Sequence, residues 1–356
     1  MLRRRRRIPS ATRRTRPCTD VGKPPPGYRA PRWLAGGHAQ TLWPLLRKGP
    51  LPAYCRERWT TPDHDFIDLD RVGADTEDLP LVILFHGLEG SSRSHYARAL
   101  MRTVVERGWR GVVVHFRGCS GAPNLLPRAY HSGDSSEIDW VLRRLRQMHP
   151  HAPLFATGIS LGGNALLKWL GERGTGAGFI TAAAAVCPPL DLAAANAALM
   201  HGFNRVYTRH FLRTLIPAAL AKLERFPGLY DPARVCAATS LYAFDDVVTA
   251  PLHGFADAAD YYARASAKQF LGGIMVPTLL INARNDPFLP AAALPTAAQI
   301  SSAVRLEQPE AGGHVGFVSA GFPGHTDWLP QHLLDDFSRQ LAATGTPHGT
   351  WDNRLK

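Results

Sequence analysis

The chain has 356 residues, of which 45% are hydrophobic, and this content excludes a chain that is disordered throughout. It can bury a large core as one big domain or as one domain with an inserted cap. The formal net charge of +12 is typical of a nucleic-acid-binding protein, but eight of the arginines lie before residue 17. Because the rest of the chain is only mildly basic, no specific nucleic-acid partner is expected.

Residues 1–30 are predicted to form a disordered basic tail and a proline-rich linker. The arginines of the tail are Arg3 to Arg7, Arg13, Arg14 and Arg16. Like charges repel one another, and the apolar stretch of a secretory signal is missing among them. A transit peptide, or an arm that binds nucleic acid or associates weakly with an anionic membrane surface, stays open as an alternative. Residues 346–356 are predicted to be a second tail.

The cysteines predict a reducing compartment. They are Cys18, Cys55, Cys119, Cys187 and Cys236. An odd, scattered set is typical of a protein with neither a disulfide framework nor a zinc site. The longest apolar region, residues 179–200, is interrupted by two prolines and an aspartate, so no transmembrane span is predicted. We expect a cytoplasmic protein.

The folded part is predicted to span residues 31–345. Residues 33–44 either line a pocket or anchor the N-terminal segment, and packing is the preferred interpretation for Trp33 and Trp43. Residues 55–70 alternate in polarity, which predicts an antiparallel hairpin that turns at 62–64 and forms the edge of a mixed sheet.

Strands and helices then alternate. Residues 81–85 are a continuous apolar run, which predicts a strand buried on both faces, as in a parallel sheet. Ser92 is the predicted N-cap of a helix that ends near residue 107. A strand at 111–116 and a helix at 132–148 follow. This alternation is typical of a doubly wound α/β fold.

The second half of the chain contains one long interruption of the strand pattern. Strands are predicted at 154–157 and 182–187. From about 188 to 273 the sequence is alanine-rich, aromatic and helical, which predicts a cap over the carboxyl edge of the sheet. Strands resume at 278–282 and 303–307, and an amphipathic helix at 328–341 ends the fold.

A Gly-x-Ser-x-Gly motif occupies residues 158–162, between a predicted strand and a predicted helix. Such a turn exposes its serine at the carboxyl end of a strand, and Gly158 and Gly162 remove Cβ atoms that would collide there. The motif alone also occurs as an ordinary turn. Its strand and helix context favours Ser160 as a nucleophile.

A serine hydroxyl needs a base to take its proton and an acid to orient that base. In this architecture the acid and then the histidine follow the last strands of the sheet. Asp286 comes directly after the strand at 278–282, and His314 comes after the strand at 303–307. Asp191, which follows an earlier strand, stays open as an alternative acid.

The oxyanion of the reaction needs two backbone donors. These are predicted to be the amide of Leu161, directly after the nucleophile, and the amide of Leu88, in the loop that follows the first parallel strand. The same glycine-rich loop could be a plain tight turn. No metal and no organic cofactor are implied, because the polypeptide itself supplies the nucleophile, base and donors.

Further motifs accompany these residues. They are Gly37-His38-Ala39-Gln40-Thr41, His86-Gly87-Leu88-Glu89-Gly90-Ser91, Phe116-Arg117-Gly118-Cys119-Ser120-Gly121, Tyr130-His131-Ser132-Gly133-Asp134, Phe244-Asp245-Asp246 with the segment 249–255, and Gly313-His314-Val315-Gly316-Phe317. With them, the chain resembles the YheT-like branch of the α/β-hydrolases, a group assigned to the esterases, from about residue 31 to 341. The resemblance implies the α/β-hydrolase fold and a carboxylic-ester hydrolase, and some relatives are similar to phospholipases. The charge-relay residues it implies are Ser160, Asp286 and His314.

We therefore expect a serine esterase that forms an acyl-enzyme on Ser160 and acts on a small-molecule ester. The segment at about 191–265 is rich in Leu, Phe and Tyr, which predicts an apolar pocket for short- to medium-chain or lipid-like acyl groups. A non-catalytic binding protein on the same fold is the first alternative. An anion-binding protein that acts through its arginine tail is the second.

Overall fold

One sheet of eight strands forms the centre of the computed structural model, which describes residues 27–74 and 76–344. The strands are β1 (Cys55–Thr60), β2 (Phe66–Val72), β3 (Leu81–Phe85), β4 (Arg110–Val114), β5 (Leu154–Ile159), β6 (Ala182–Val186), β7 (Thr278–Ile281) and β8 (Val304–Glu307). Their order is β1-β2-β4-β3-β5-β6-β7-β8. β2 pairs antiparallel with β1 and with β4, and the other neighbours pair parallel. The predicted mixed sheet with an antiparallel N-terminal edge is confirmed.

Helices cover both faces of this sheet, and the helices of the cap lie over the carboxyl ends of its parallel strands. They are α1 (Gly37–Leu46), α2 (His95–Glu106), α3 (Ser135–Met148), α4 (Leu161–Arg173), α5 (Leu192–Leu199), α6 (Arg205–Arg225), α7 (Pro232–Cys236), α8 (Leu241–Phe244), α9 (Ala250–Leu252), α10 (Ala258–Ala265) and α11 (Trp328–Ala343). A π-helical turn, Asp245–Thr249, joins α8 to α9. Within the described ranges, every helix is too short or too polar to cross a membrane.

The core has two layers, and the side chains of β3 alternate between them. Leu81, Ile83 and Phe85 pack in the layer that holds α3 and α4, whereas Val82 and Leu84 pack in the layer that holds α2 and α11. A strand that is buried on both faces needs apolar residues at every position. This explains the continuous apolar run, and the doubly wound α/β arrangement is confirmed.

The predicted N-cap of α2 is wrong. The helix begins at His95, so Ser94 occupies the N-cap position, and its side chain makes no capping bond. Ser92 instead donates a hydrogen bond of 2.5 Å to the Asp70 carboxylate. α3 also begins later than predicted, because the Asp134 carboxylate caps it by accepting from the Glu137 amide.

The sequence pattern did not predict α1. Trp33 and Trp43 nevertheless pack as expected, with ring centroids 5.3 Å apart, and both contact the Phe322 ring. Helices α5 to α10 lie between β6 and β7, where the helical cap was expected. Most of the predicted arginine-rich tail, residues 1–26, and the predicted C-terminal tail at 346–356 lie outside the described residues.

A buried polar network joins the antiparallel edge to the parallel part of the sheet. Asp70 of β2 accepts a bidentate pair of bonds from Arg56 of β1, at 2.7 and 2.8 Å. It also accepts from His115 Nε2, at 2.9 Å, and from Ser92. Burial alone would raise the pKa of Asp70, but these donors outweigh it and hold that pKa well below its usual value.

Asp70→Asn should lower the free energy of unfolding at neutral pH by about 2–4 kcal/mol, because it removes the charge that Arg56, His115 and Ser92 share. The pKa of Asp70 is lower in the folded protein than in the unfolded chain, where it is near 4. The ionised carboxylate therefore stabilises the fold above about pH 4, and this stability is lost as the pH falls below that value. The variant should therefore lose less stability than the wild type between pH 7 and pH 3 in urea titrations. Asp335→Asn, which breaks a partly exposed pair with Arg107, is the control and should change stability by less than about 0.5 kcal/mol. Equal acid sensitivity of wild type and Asp70→Asn would contradict this account.

Candidate active site

Ser160 occupies a strained turn between β5 and α4. Its backbone has φ 52° and ψ −119°, outside the conformations that a residue with a side chain prefers. The Ser160 amide donates to the Val186 carbonyl at 2.9 Å, which ties the turn to the neighbouring strand β6. The hydroxyl is therefore held at the carboxyl end of the sheet.

Two glycines make this turn sterically feasible. A Cβ atom on Gly158 would lie 2.5 Å from the Gly162 carbonyl oxygen, and one on Gly162 would lie 2.4 Å from the Phe85 carbonyl oxygen. Both distances are too short for any side chain. The sequence predicted that Cβ atoms at Gly158 and Gly162 would collide with their surroundings. The packing of α4 against the ends of β3 and β5 confirms this.

The three side chains predicted from the sequence lie in one hydrogen-bonded row. His314 Nε2 is 2.9 Å from Ser160 Oγ, and His314 Nδ1 is 2.9 Å from Asp286 Oδ2. Asp286 is 1% exposed and His314 is 11% exposed. A carboxylate only accepts, so Nδ1 carries the proton and Nε2 is left to accept from the serine hydroxyl.

Neighbouring groups fix the acid and the ring. The second oxygen of Asp286 accepts from the Phe288 amide at 2.8 Å. The Phe288 ring stacks on the His314 ring, with centroids 4.0 Å apart and planes at 19°. These contacts leave the imidazole little freedom to turn away from Ser160.

The alternative acid, Asp191, lies elsewhere. Its carboxylate caps α5 by accepting from the Ala194 amide at 2.9 Å. Among the described residues, Asp191 and His314 form no hydrogen bond with each other. The geometry therefore favours Asp286.

Two residues of α1 hold the loops of Asp286 and His314 in place, and sequence reasoning missed them. Gln40 Oε1 accepts from the Gly312 amide at 2.8 Å and from Asn285 Nδ2 at 3.0 Å. Thr41 Oγ1 accepts from the His314 amide at 2.8 Å. The available signal was the motif at residues 37–41, which places Gln40 and Thr41 next to an aromatic, apolar segment; both side chains are buried.

The loop after β3 contains the first predicted oxyanion donor, the backbone amide of Leu88. The Gly87 amide donates to Tyr96 Oη and the Glu89 amide donates to Tyr130 Oη, both at 2.9 Å. The Gly90 amide donates to the Gly87 carbonyl at 2.9 Å. Among the described residues, the Leu88 amide has no recorded partner.

The Leu161 amide is the second predicted donor. It is the first residue of α4, and the first amides of a helix have no intrahelical acceptor. Because Leu161 follows Ser160 directly, its N–H group lies next to the serine. Leu88 and Leu161 are thus the backbone donors that the sequence predicted for an oxyanion, and this role stays a prediction.

His86 at the end of β3 has a structural role. Its Nε2 accepts from the Phe116 amide at 3.1 Å, so Nδ1 carries the proton and donates to the Gly87 carbonyl at 2.8 Å. Burial lowers the pKa of His86 to about 3, so the ring is neutral at physiological pH. The neutral ring anchors the start of the loop that carries Leu88.

A cavity of about 480 Å³ lies above Ser160, between the sheet edge and the cap helices. Most of its wall is apolar. Cap residues in this wall include Leu199, Phe211, Leu215, Leu241, Phe244 and Val248. The arrangement can enclose an apolar chain with one end at the Ser160 hydroxyl.

One group of side chains has the spacing of a metal site. The donor atoms of Cys187, Asp286 and His314 lie within 4.8 Å of one another. Metal ligation needs a thiolate, but burial raises the pKa of the Cys187 thiol well above its ordinary value. Asp286 and His314 are also bonded to each other, so these residues fit a metal poorly.

Comparisons with known proteins give the same fold. A family model described as the alpha/beta hydrolase fold matches residues 80–320. A protein of Escherichia coli (strain K12) with the name "Putative esterase YheT" is 39% identical over 88% of this chain and 93% of its own. Phospholipase ABHD3 of Mus musculus is 29% identical over 89% of this chain and 78% of its own. The structure of ferulic acid bound to Est1E from Butyrivibrio proteoclasticus superposes with a TM-score of 0.53 at 14% identity, covering 80% of this chain and 99% of that chain, which shows a shared fold.

Gly162→Ala should destabilise the protein by about 3 kcal/mol or more, because the alanine Cβ would overlap the backbone at the end of β3. This is the opposite of the usual effect, since alanine is normally favoured over glycine in a helix. Gly176→Ala is the matched control, since a Cβ there meets no atom within 4 Å. The control should change stability by less than about 1 kcal/mol. Thermal and urea unfolding measure the stability of both variants. Equal stability of the two would show that α4 does not depend on this close approach.

Proposed function

This chain belongs to the α/β-hydrolase family, and we propose that it hydrolyses carboxylic esters through an acyl-enzyme on Ser160. The observation that carries the proposal is the hydrogen-bonded row from Ser160 Oγ through His314 to Asp286, with 2.9 Å at each step. The named activities of its relatives support ester hydrolysis in general. The assignment of individual residues is our own.

In the first half of the reaction, His314 Nε2 takes the Ser160 proton as Oγ attacks the acyl carbon. Asp286 keeps Nδ1 protonated and stabilises the imidazolium that forms. The amides of Leu88 and Leu161 donate to the oxyanion. The bond from the acyl carbon to the alcohol oxygen then breaks, and His314 gives its proton to the leaving alcohol.

In the second half, a water molecule replaces the alcohol. His314 Nε2 takes a proton from this water as its oxygen attacks the acyl carbon of the acyl-enzyme. The bond to Ser160 Oγ breaks, and His314 returns the proton to the serine. The free acid leaves, and the protein regains its starting state without an external cofactor.

The apolar cavity favours short- to medium-chain or lipid-like acyl groups. Leu and Phe side chains of the cap form part of its wall, and burying each CH₂ of an acyl chain there contributes about 0.8 kcal/mol. One relative is named a phospholipase, which agrees with a lipid-like ester.

Wild-type protein should react with a fluorophosphonate probe and hydrolyse p-nitrophenyl esters of graded chain length. Ser160→Ala should lose labelling and at least about 10³-fold in kcat/KM. Asp286→Asn should lose about 10²–10⁴-fold, because the His314 tautomer is no longer fixed. Asp191→Asn is the matched control and should keep wild-type activity, since asparagine also caps a helix.

Two results would contradict the proposal. Wild-type protein that takes up no probe and hydrolyses no ester would favour the non-catalytic binding protein. Ser160→Ala protein that is labelled as strongly as the wild type would place the nucleophile elsewhere.

A further inference from the structure

Most charged groups that face the cavity above Ser160 already have partners within the protein. Lys222 Nζ donates to Asn124 Oδ1 at 3.1 Å and to the Arg128 carbonyl at 3.0 Å. Glu89 accepts from Tyr130 Oη at 2.8 Å. These bonds hold the loops around the cavity together.

Asp245 also forms side-chain hydrogen bonds with neutral groups, and both of its partners are hydroxyls. Its Oδ1 accepts from Thr249 Oγ1 at 2.5 Å, and its Oδ2 accepts from Tyr262 Oη at 2.8 Å. Neither donor carries a charge. Among the described residues, no lysine or arginine makes a recorded ion pair with this carboxylate.

The carboxyl group lies deep in the protein but remains accessible from the cavity, whose wall it helps to form. Burial raises the pKa of Asp245 to about 6, and the bonds from Thr249 and Tyr262 lower it only in part. A carboxylate has about four acceptor positions, and two of them are filled here. The remaining positions are available to a molecule in the cavity.

The backbone around Asp245 is also unusual. Residues Asp245–Thr249 form a π-helical turn, a rare geometry that is frequent at functional sites. A purely structural role would be to tie this turn to α10 through Tyr262. An asparagine could accept one of these bonds through its oxygen and donate through its NH₂ group to the other hydroxyl oxygen, without the cost of burying a charge, so the structural role alone does not require a carboxylate.

We propose that Asp245, with Thr249 and Tyr262, forms a polar subsite in the substrate cavity that accepts a hydrogen bond from a hydroxyl or ammonium group of the ester. This inference rests on the proposed function, because it assumes that an ester occupies the cavity. The substrate class is then an ester with an apolar chain and one hydrogen-bond donor, rather than a plain alkyl ester. Asp245 is a specificity-determining residue in this account, and it takes no part in the chemistry at Ser160.

The test compares matched esters on the wild-type protein. One series contains p-nitrophenyl hexanoate, octanoate and decanoate with their ω-hydroxy and ω-amino counterparts, so that the donor is on the acyl part. A second pair, ethyl octanoate and the octanoate monoester of ethylene glycol, carries the donor on the alcohol part. At one chain length at least, kcat/KM for a donor-bearing ester should exceed that of its plain partner by about tenfold or more.

Variants assign this preference to the carboxylate. Asp245→Asn should abolish a preference for the ammonium ester and weaken a preference for the hydroxyl ester, whereas Asp245→Ala should abolish both. Asp246→Asn is the matched control, because this neighbouring carboxylate pairs with Arg234 and accepts from the Ala258 amide away from the cavity wall. The control should keep the wild-type preference.

The outcomes separate this inference from the proposed function. Wild-type protein that hydrolyses plain esters and shows no preference in either series overturns the subsite and leaves the esterase intact. A preference that survives in Asp245→Ala also overturns it. Wild-type protein that hydrolyses none of the esters overturns the esterase and the subsite together. Since the preference is measured first on the wild type, a variant that fails to fold does not stop the test.

Discussion

The strained backbone of Ser160 is the constraint on which the rest of the structure depends. A serine at φ 52° persists only if its surroundings hold it there. The support is close packing, because α4 approaches the ends of β3 and β5 so tightly that Gly158 and Gly162 have no room for a Cβ atom. The result is a hydroxyl that stands clear of the sheet, with the first amide of a helix beside it.

A second set of contacts brings the acid and the base to this hydroxyl. The loops that carry Asp286 and His314 follow neighbouring parallel strands, β7 and β8, so both open at the same edge of the sheet. Proximity alone does not aim a side chain. Gln40 and Thr41 of α1 accept hydrogen bonds from these loops, and Phe288 stacks on the imidazole. The site is therefore built from both ends of the chain.

The sequence predicted the features that rest on local patterns. Continuous apolar runs predicted the parallel strands, and the glycine spacing around Ser160 predicted the turn. The positions of Asp286 and His314, after later strands, predicted the acid and the base that form a hydrogen-bonded row with Ser160. Long-range polar contacts leave no such pattern. The bond between Gln40 and Gly312 joins residues 272 positions apart, and nothing near Gln40 indicates its partner.

The central claim is that Ser160 becomes covalently acylated. Intact-mass spectrometry measures this directly, on wild-type protein mixed with p-nitrophenyl octanoate and quenched in acid after milliseconds to seconds. The account predicts a transient mass increase of one octanoyl group, which peptide mapping assigns to Ser160. Ester that is consumed while no adduct forms at any time, or an adduct on another residue, would contradict it.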